Sequence, residues 1–317
     1  MSFQEVHAIV EDLSLKLGTS GDGKTDVANY VEFLHNVRNL KIRGARGYVG
    51  TSNIIWNSLP FGLNLCKNIA ALWISDFDVR MIHDLYSVRS TCKRVDFLLE
   101  PDEMLPIENQ EKWSSLEETD FSFNELEEID ESISLLNLVR KMNLSHNLLT
   151  NIGDHLQHLT MLTELNLSHN AIKDLDMWYT KLGNVKRLYL AGNKISTLNG
   201  LHKLYSLEFL DLADNIVASP DDIRAVGTLP CLDHLILRGN PIRQIIEYRI
   251  KVLEHFGERA AEVKLDSRKP DQREVDTILV RLALRKAREE KEEQTRKRAL
   301  GIDKRTKLNL NIFCLTF

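Results

Sequence analysis

VKRLYLAGN (185–193), LEFLDLADN (207–215) and LDHLILRGN (232–240) are one frame written three times, Leu-x-x-Leu-x-Leu-x-x-Asn with tolerated substitutions. Working outward, LTELNLSHN (162–170) fits equally well, and looser copies end at Asn147 and Asn124. The terminal asparagines Asn124, Asn147, Asn170, Asn193, Asn215 and Asn240 are spaced 22 to 25 residues apart. Each part of the frame has a mechanical task. Alternating leucines of a short strand point one way, into a core, and the residues between them point the other way. The asparagine ends the strand in a tight turn, where its amide can satisfy backbone groups of the neighbouring turn that would otherwise be buried unpaired.

A period of this length marks a repeat array, and the frame is that of leucine-rich repeats. The expected fold is therefore an α/β leucine-rich-repeat solenoid with a parallel sheet on its concave side. After each asparagine comes a second apolar pair, such as Ile172 and Leu175 or Ile195 and Leu198. Leu201, Leu204 and Leu207 then recur every three residues, as a short helix or 3₁₀ turn on the convex side requires. One repeat buries about seven apolar side chains, roughly 10–20 kcal/mol gross, against an ordering cost of about 1–2 kcal/mol per residue. A single repeat cannot fold alone, and stacking makes the array stable.

The same spacing divides the chain. Residues 1–30 form an N-terminal segment with a Gly-rich connector, and residues 31–110 hold degenerate repeats or a cap. Weaker copies stand there at IAALWISDF (69–77) and CKRVDFLLE (92–100), with a doubtful one at VRNLKIRGA (37–45). Residues 111–246 hold the regular repeats, 247–268 a C-terminal cap, 269–300 a charged helix and 301–317 a tail. The cap reads through Asn240-Pro241, Tyr248-Arg249 and Leu265-Asp266, in the order seen after short repeats of this superfamily. In it Ile245, Tyr248, Val252 and Phe256 are expected to share one helix face, and Val263 and Leu265 to add a last strand. Val275, Ile278, Leu279 and Leu282 continue a helical stripe, whereas ALRKAREEKEEQTRKRAL (283–300) has almost none and reads as a solvated helix.

Composition sets the class of function. Apolar residues make up 43% of the chain, enough for a packed core, and the net charge of −5 argues against a nucleic-acid-binding body. Cys66, Cys92, Cys231 and Cys314 contain no CxxC pair, so neither a zinc ribbon nor a disulfide framework is indicated. No apolar run approaches the roughly 20 residues of a membrane span, and the opening MSFQEVHAIVED lacks the pattern of a signal peptide. The expected location is the cytoplasm, in a reducing compartment.

Several local features suggest chemistry. GTSGDGKT (18–25) satisfies the P-loop expression, in which backbone amides cradle phosphates and Lys24 reaches the terminal one. A P-loop must join a strand to a helix of a parallel sheet, and no partner Asp strand follows, so a flexible connector is preferred. His155 and His158 have a spacing compatible with a metal pair, and His146 and His169 occupy equivalent places before successive asparagines. No cysteine or carboxylate completes a ligand set at useful spacing, so neither metal nor other cofactor is expected. Asn143 and Asn166 begin sequons inside strands and are not expected to be glycosylated.

Function is left to the outward residues of the strands. Asp96, Asp120, Asn143 and Asn166 are among them, but the residues expected to contact a partner are Trp73, Arg187, Tyr189, Phe209, Asp211, His234, Ile236 and Arg238. Tyr189, Phe209 and Ile236 fall on successive strands and are expected to form one apolar patch flanked by charge. The six asparagines, with Tyr248, Phe256 and Leu265 of the cap, are read as structural.

TKLGNVKRLYLAGNKISTLNGLHKLYSLEFLDLADN (180–215), GTLPCLDHLILRGNPI (227–242), YRIKVLEHFGERAAEVKLD (248–266) and the helix around Asp276 resemble the nischarin family of imidazoline-receptor candidates. The resemblance spans roughly residues 110–285. It implies a cytosolic and endosomal adaptor, not an enzyme, that restrains cell migration. Its implied partners are an integrin α-subunit tail, Rac-pathway kinases of the p21-activated and LIM classes, and Rab proteins. The phox-homology domain and long C-terminal region of that family are not recognisable here, so this chain alone is not expected to bind membranes specifically. Other readings of the same repeats are a phosphatase-regulatory subunit and a cytoskeletal or ciliary adaptor, with a P-loop nucleotide binder more remote.

Overall fold

A computed structural model describes residues 23–43, 62–75, 81–97 and 112–313. Helix α1 (Gly23–Asn36) leads into ten strands, β1 (Asn39–Arg43), β2 (Ala71–Ser75), β3 (Arg94–Phe97), β4 (Glu118–Asp120), β5 (Lys141–Asn143), β6 (Glu164–Asn166), β7 (Arg187–Tyr189), β8 (Phe209–Asp211), β9 (His234–Ile236) and β10 (Lys264–Leu265). They form one parallel sheet in strict sequence order, the topology of a leucine-rich-repeat solenoid. The doubtful copy at 37–45 supplies β1, with Leu40 and Ile42 buried by the same alternation as the regular repeats. GTSGD (18–22) lies outside the described residues, and Gly23, Lys24 and Thr25 open α1.

Register explains the core. Leu165, Leu188, Leu210, Leu235 and Leu265 are aligned across β6 to β10, and all are fully buried. Behind each strand the chain returns through short turns: 3₁₀ at residues His155–His158 and Asn199–Leu201, α2 (Trp178–Lys181), and a 3₁₀ turn Pro220–Ile223 running into α3 (Arg224–Gly227). Leu201, Leu204 and Leu207 are buried on that side. Gly200 is required there, because a Cβ on it would lie 1.4 Å from the carbonyl oxygen of Leu175.

The asparagines tie repeat to repeat. Asn170 accepts the Leu149 N–H at 3.0 Å and donates to the carbonyls of Leu144 and Leu167, each at 3.0 Å. Asn147, Asn193, Asn215 and Asn240 repeat this pattern. Each therefore fills backbone positions in the preceding turn and in its own.

The cap differs from its sequence reading. The apolar stripe does not ride on one helix: Ile245 is extended, α4 (Tyr248–Leu253) holds Tyr248 and Val252, and Phe256 lies on the 3₁₀ segment Glu254–Ala261. Gly257, at φ 59°, breaks helical geometry inside that segment. Tyr248, Phe256 and Leu265 are nonetheless buried. Asp266 terminates the sheet: its carboxylate accepts the Leu237 N–H at 2.8 Å and the Tyr248 hydroxyl at 2.9 Å. In the regular repeats the equivalent N–H, such as that of Leu212, donates to a carbonyl of the next strand. A side-chain oxygen thus stands in for the backbone carbonyl that β10, only two residues long, does not present to Leu237.

Helix α5 (Gln272–Phe313) is anchored by its first turns. Ile278 is fully buried, Arg249 bonds Glu274 at 2.7 Å, and Arg281 reaches Glu247 and Glu254. Leu279 falls off the stripe and is exposed. From residue 283 to 298 every side chain is exposed, and the helix continues through most of the segment read as a tail. Among the described residues, no helix is long and apolar enough to cross a membrane.

Candidate functional site

Pairing places the outward side chains in two rows. One row runs Arg94, Glu118, Lys141, Glu164, Arg187, Phe209, His234 and Lys264, and the other Trp73, Asp96, Asp120, Asn143, Asn166, Tyr189, Asp211 and Ile236. From Arg94 to Arg187 the first row alternates in charge and its members pair: Glu118 lies 2.6 Å from Lys141 and 3.6 Å from Arg94, and Glu164 lies 3.9 Å from Arg187.

The second row has a local structural role. The side chains of Asp120, Asn143, Asn166 and Asp211 each accept the backbone N–H two residues ahead, at 2.9 to 3.1 Å. This side-chain turn closes the strand end. Asp211 is therefore partly committed to its own backbone. Burial pushes its carboxyl up, while the Ala213 N–H and nearby Arg238 pull it back. Tyr189 and Ile236 interrupt the rule by putting apolar surface where the fold elsewhere uses an acceptor. The signal was in the sequence: Asp or Asn stands four places before Asn124, Asn147, Asn170 and Asn215, but not before Asn193 or Asn240.

Around the first interruption the side chains converge. The Tyr189 and Phe209 rings are 5.0 Å apart, tilted by 43°, and Phe209 lies 6.0 Å from the His234 ring. The Arg187 guanidinium lies 5.1 Å over Phe209, with its Nε 3.1 Å from the Tyr189 hydroxyl. Tyr189, Phe209 and His234 are half-buried and Arg187 is exposed. Ile236 does not extend the patch as expected, because it aligns with Asp211, which separates it from Tyr189 in its row. Arg238 follows β9 at the exposed edge. Trp73 lies five strands from Tyr189, about 24 Å away at normal strand spacing, and forms a separate group with Arg94 and Asp96. There the Arg94 guanidinium is 3.1 Å from the Asp96 carboxylate, whose pKa is raised because burial outweighs that contact and the Trp73 hydrogen bond.

The histidines have another arrangement. His155 and His158 sit on a convex 3₁₀ turn, and among the described residues no three His, Cys, Asp or Glu side chains gather as a metal set. His146 and His169 stack at 4.3 Å, and Phe123 stacks on His146 at 4.2 Å, a column the sequence reading missed. Its signal was Phe-Asn, His-Asn and His-Asn at one offset in three successive repeats.

Comparison with known proteins agrees with the repeat geometry. Residues 111–172 match the family model for leucine rich repeats, and residues 183–225 a model for two further copies. A serine/threonine-protein kinase 11-interacting protein of Gallus gallus is 31% identical over 150 residues, 47% of this chain and 14% of that protein. Leucine-rich repeat-containing protein 23 of Bos taurus is 37% identical over 73 residues, 23% of this chain and 21% of that protein. The chain thus spans a small part of the length of these relatives. A solved leucine-rich-repeat protein of Leptospira interrogans superposes with a TM-score of 0.54 at 22% identity, covering 75% of this chain and 56% of that one, which shows the shared fold.

Proposed function

We propose that this chain is an adaptor whose concave face binds another protein through Arg187, Tyr189, Phe209 and His234, and that a protein kinase is the partner class. The observation that carries the reading is the aromatic and guanidinium cluster at the place where the side-chain turn is given up. Aromatic residues and arginine are the usual anchors of protein interfaces. Two likenesses in sequence both point to a kinase. The resemblance to the nischarin family suggests kinases of the p21-activated and LIM classes, and a relative by sequence is named for interaction with a serine/threonine kinase. The integrin α tail, Rab proteins, endosomal placement and control of migration rest on the nischarin-family resemblance of roughly residues 110–285 alone.

The test is affinity capture with the full chain, followed by binding to the purified kinase recovered. Tyr189→Ala and Phe209→Ala should each weaken binding by about 1–2 kcal/mol with folding intact. Lys203→Ala on the convex side, which removes a contact over the Tyr179 ring, should leave binding unchanged. Leu188→Ala is the contrasting control: it should lose binding by unfolding, through a cavity costing about 2–5 kcal/mol. Unaltered affinity in both aromatic variants would remove the concave cluster as the site. Recovery of a phosphatase catalytic subunit in place of a kinase would replace the partner class.

A further inference from the structure

The residue before each repeat asparagine has a left-handed backbone: Phe123, His146, His169, Gly192, Asp214 and Gly239 have φ between 53° and 77°. Glycine and aspartate tolerate that region, whereas a bulky aromatic side chain there is unusual. Phe123 occupies it and is also 66% exposed. It is not the core aromatic of its repeat, since Phe121 is fully buried. Its ring lies nearly parallel to that of His146, at an angle of 8°, so the column ends in an exposed aromatic surface. Leu148, 52% exposed, adds apolar area just after Asn147.

The charge around this surface is one-sided. Residues 112–131 contain eight Asp or Glu and a single Lys. Glu117 and Glu118 pair with basic neighbours, Asp120 bonds Asn143 and the Ser122 N–H, and Asp130 caps Ser132. Glu125, Glu127, Glu128 and Glu131 are exposed, and none has an ion pair among the described residues. They follow Phe123 within its own repeat, with Glu131 opening the 3₁₀ helix Glu131–Leu136. After His146 the corresponding stretch reads Leu148, Thr150, Asn151 and Asp154, so the acidity is local to the Phe123 repeat.

We propose that this face is a second docking surface, separate from the concave cluster, for an arginine-bearing basic segment of a partner protein. A guanidinium can lie flat on the Phe123 ring while its fork meets carboxylates, which an ammonium matches less well. Charge complementarity selects the occupant, and the column supplies the flat surface.

The test titrates the full chain with three labelled short peptides that alternate serine with arginine, lysine or glutamate. At physiological ionic strength the arginine peptide should bind saturably, the lysine peptide more weakly and the glutamate peptide not at all. Phe123→Gly, which suits the left-handed backbone, should weaken the arginine peptide about threefold or more and bring it towards the lysine peptide. Glu125→Gln, Glu127→Gln and Glu128→Gln combined should weaken it about tenfold. Tyr189→Ala should have no effect, so this test can fail without touching the concave reading, and the reverse. Equal binding of the arginine and lysine peptides, insensitive to Phe123→Gly, would reduce the effect to bulk charge and overturn the proposal. Concentration-dependent self-association abolished by Phe123→Gly would assign the face to the basic α5 of a second copy and overturn the external partner.

Discussion

Removing one rung of the asparagine ladder should cost more than its exposure suggests. In Asn170→Ala the fully buried Leu149 loses the acceptor of its N–H, an orphan worth about 1–3 kcal/mol. The carbonyls of Leu144 and Leu167 are less affected, because Asn147 and Asn193 also donate to them, at 3.0 Å each. Losing one of two bonds at each adds about 0.5–1.5 kcal/mol apiece. The total is about 2–6 kcal/mol, read as a lower urea midpoint by circular dichroism, with faster exchange of the Leu149 amide. Asn170→Asp separates donor from acceptor. It keeps an oxygen for the Leu149 N–H but sets a carboxylate against two carbonyl oxygens, so at neutral pH it should be the worse variant. Those oxygens raise the folded-state pKa of the introduced carboxyl above its unfolded value near about 3.9. Protonation therefore favours the folded form, and the deficit should shrink as pH falls through the raised value. An alanine variant within about 1 kcal/mol of the parent, or an aspartate variant no worse than alanine at neutral pH, would refute the ladder's energetic role.

Gly200→Ala should destabilise by about 3 kcal/mol, because its methyl group would overlap the Leu175 carbonyl; a parent-like urea midpoint would show that the convex turn yields freely. Tyr248→Phe leaves the packing in place and deletes the hydroxyl bond to Asp266, so a loss of about 1–2 kcal/mol is expected, while truncation after Ile245 should end cooperative unfolding altogether. A truncated chain melting as sharply as the full one would remove the cap's role. Stability should also decline as pH falls below the ordinary histidine value of 6.5, because burial lowers the folded pKa of His255. The unfolded chain then binds the proton first, so this part of the stability is present above 6.5 and lost below it. His255→Gln should flatten the melting temperature over that interval, and an unchanged slope would assign the acid sensitivity elsewhere.

The strands and the turn asparagines were legible because a period of two and a fixed offset leave little freedom once one face is buried. Even β1, without a terminal asparagine, keeps Leu40 and Ile42 inside. The cap was harder to read. Tyr248, Val252 and Phe256 have helical spacing, but the positive φ of Gly257 interrupts the helix, and sequence spacing does not reveal where a backbone turns. The concave patch was legible residue by residue but not in its grouping. Registry aligns Phe209 with Arg187 and His234, and Ile236 with Asp211, so which outward residues of neighbouring strands meet depends on their place in the register. The stacked column needs a left-handed residue at the same place in three successive repeats, a backbone feature that the residue types alone do not display.

The fixed distance from each strand to its asparagine leaves length variation to the back of the coil. Asn193 and Asn215 are 22 residues apart and Asn215 and Asn240 are 25 apart, yet β7, β8 and β9 stay in register. The longer segment carries Pro220–Ile223 and α3 on the convex side. Insertions and deletions of a few residues can therefore accumulate there during evolution without moving a contact on the front. Such a scaffold can drift in size while its specificity changes by point substitution, so related chains that differ in repeat length are expected to align best along their concave strands.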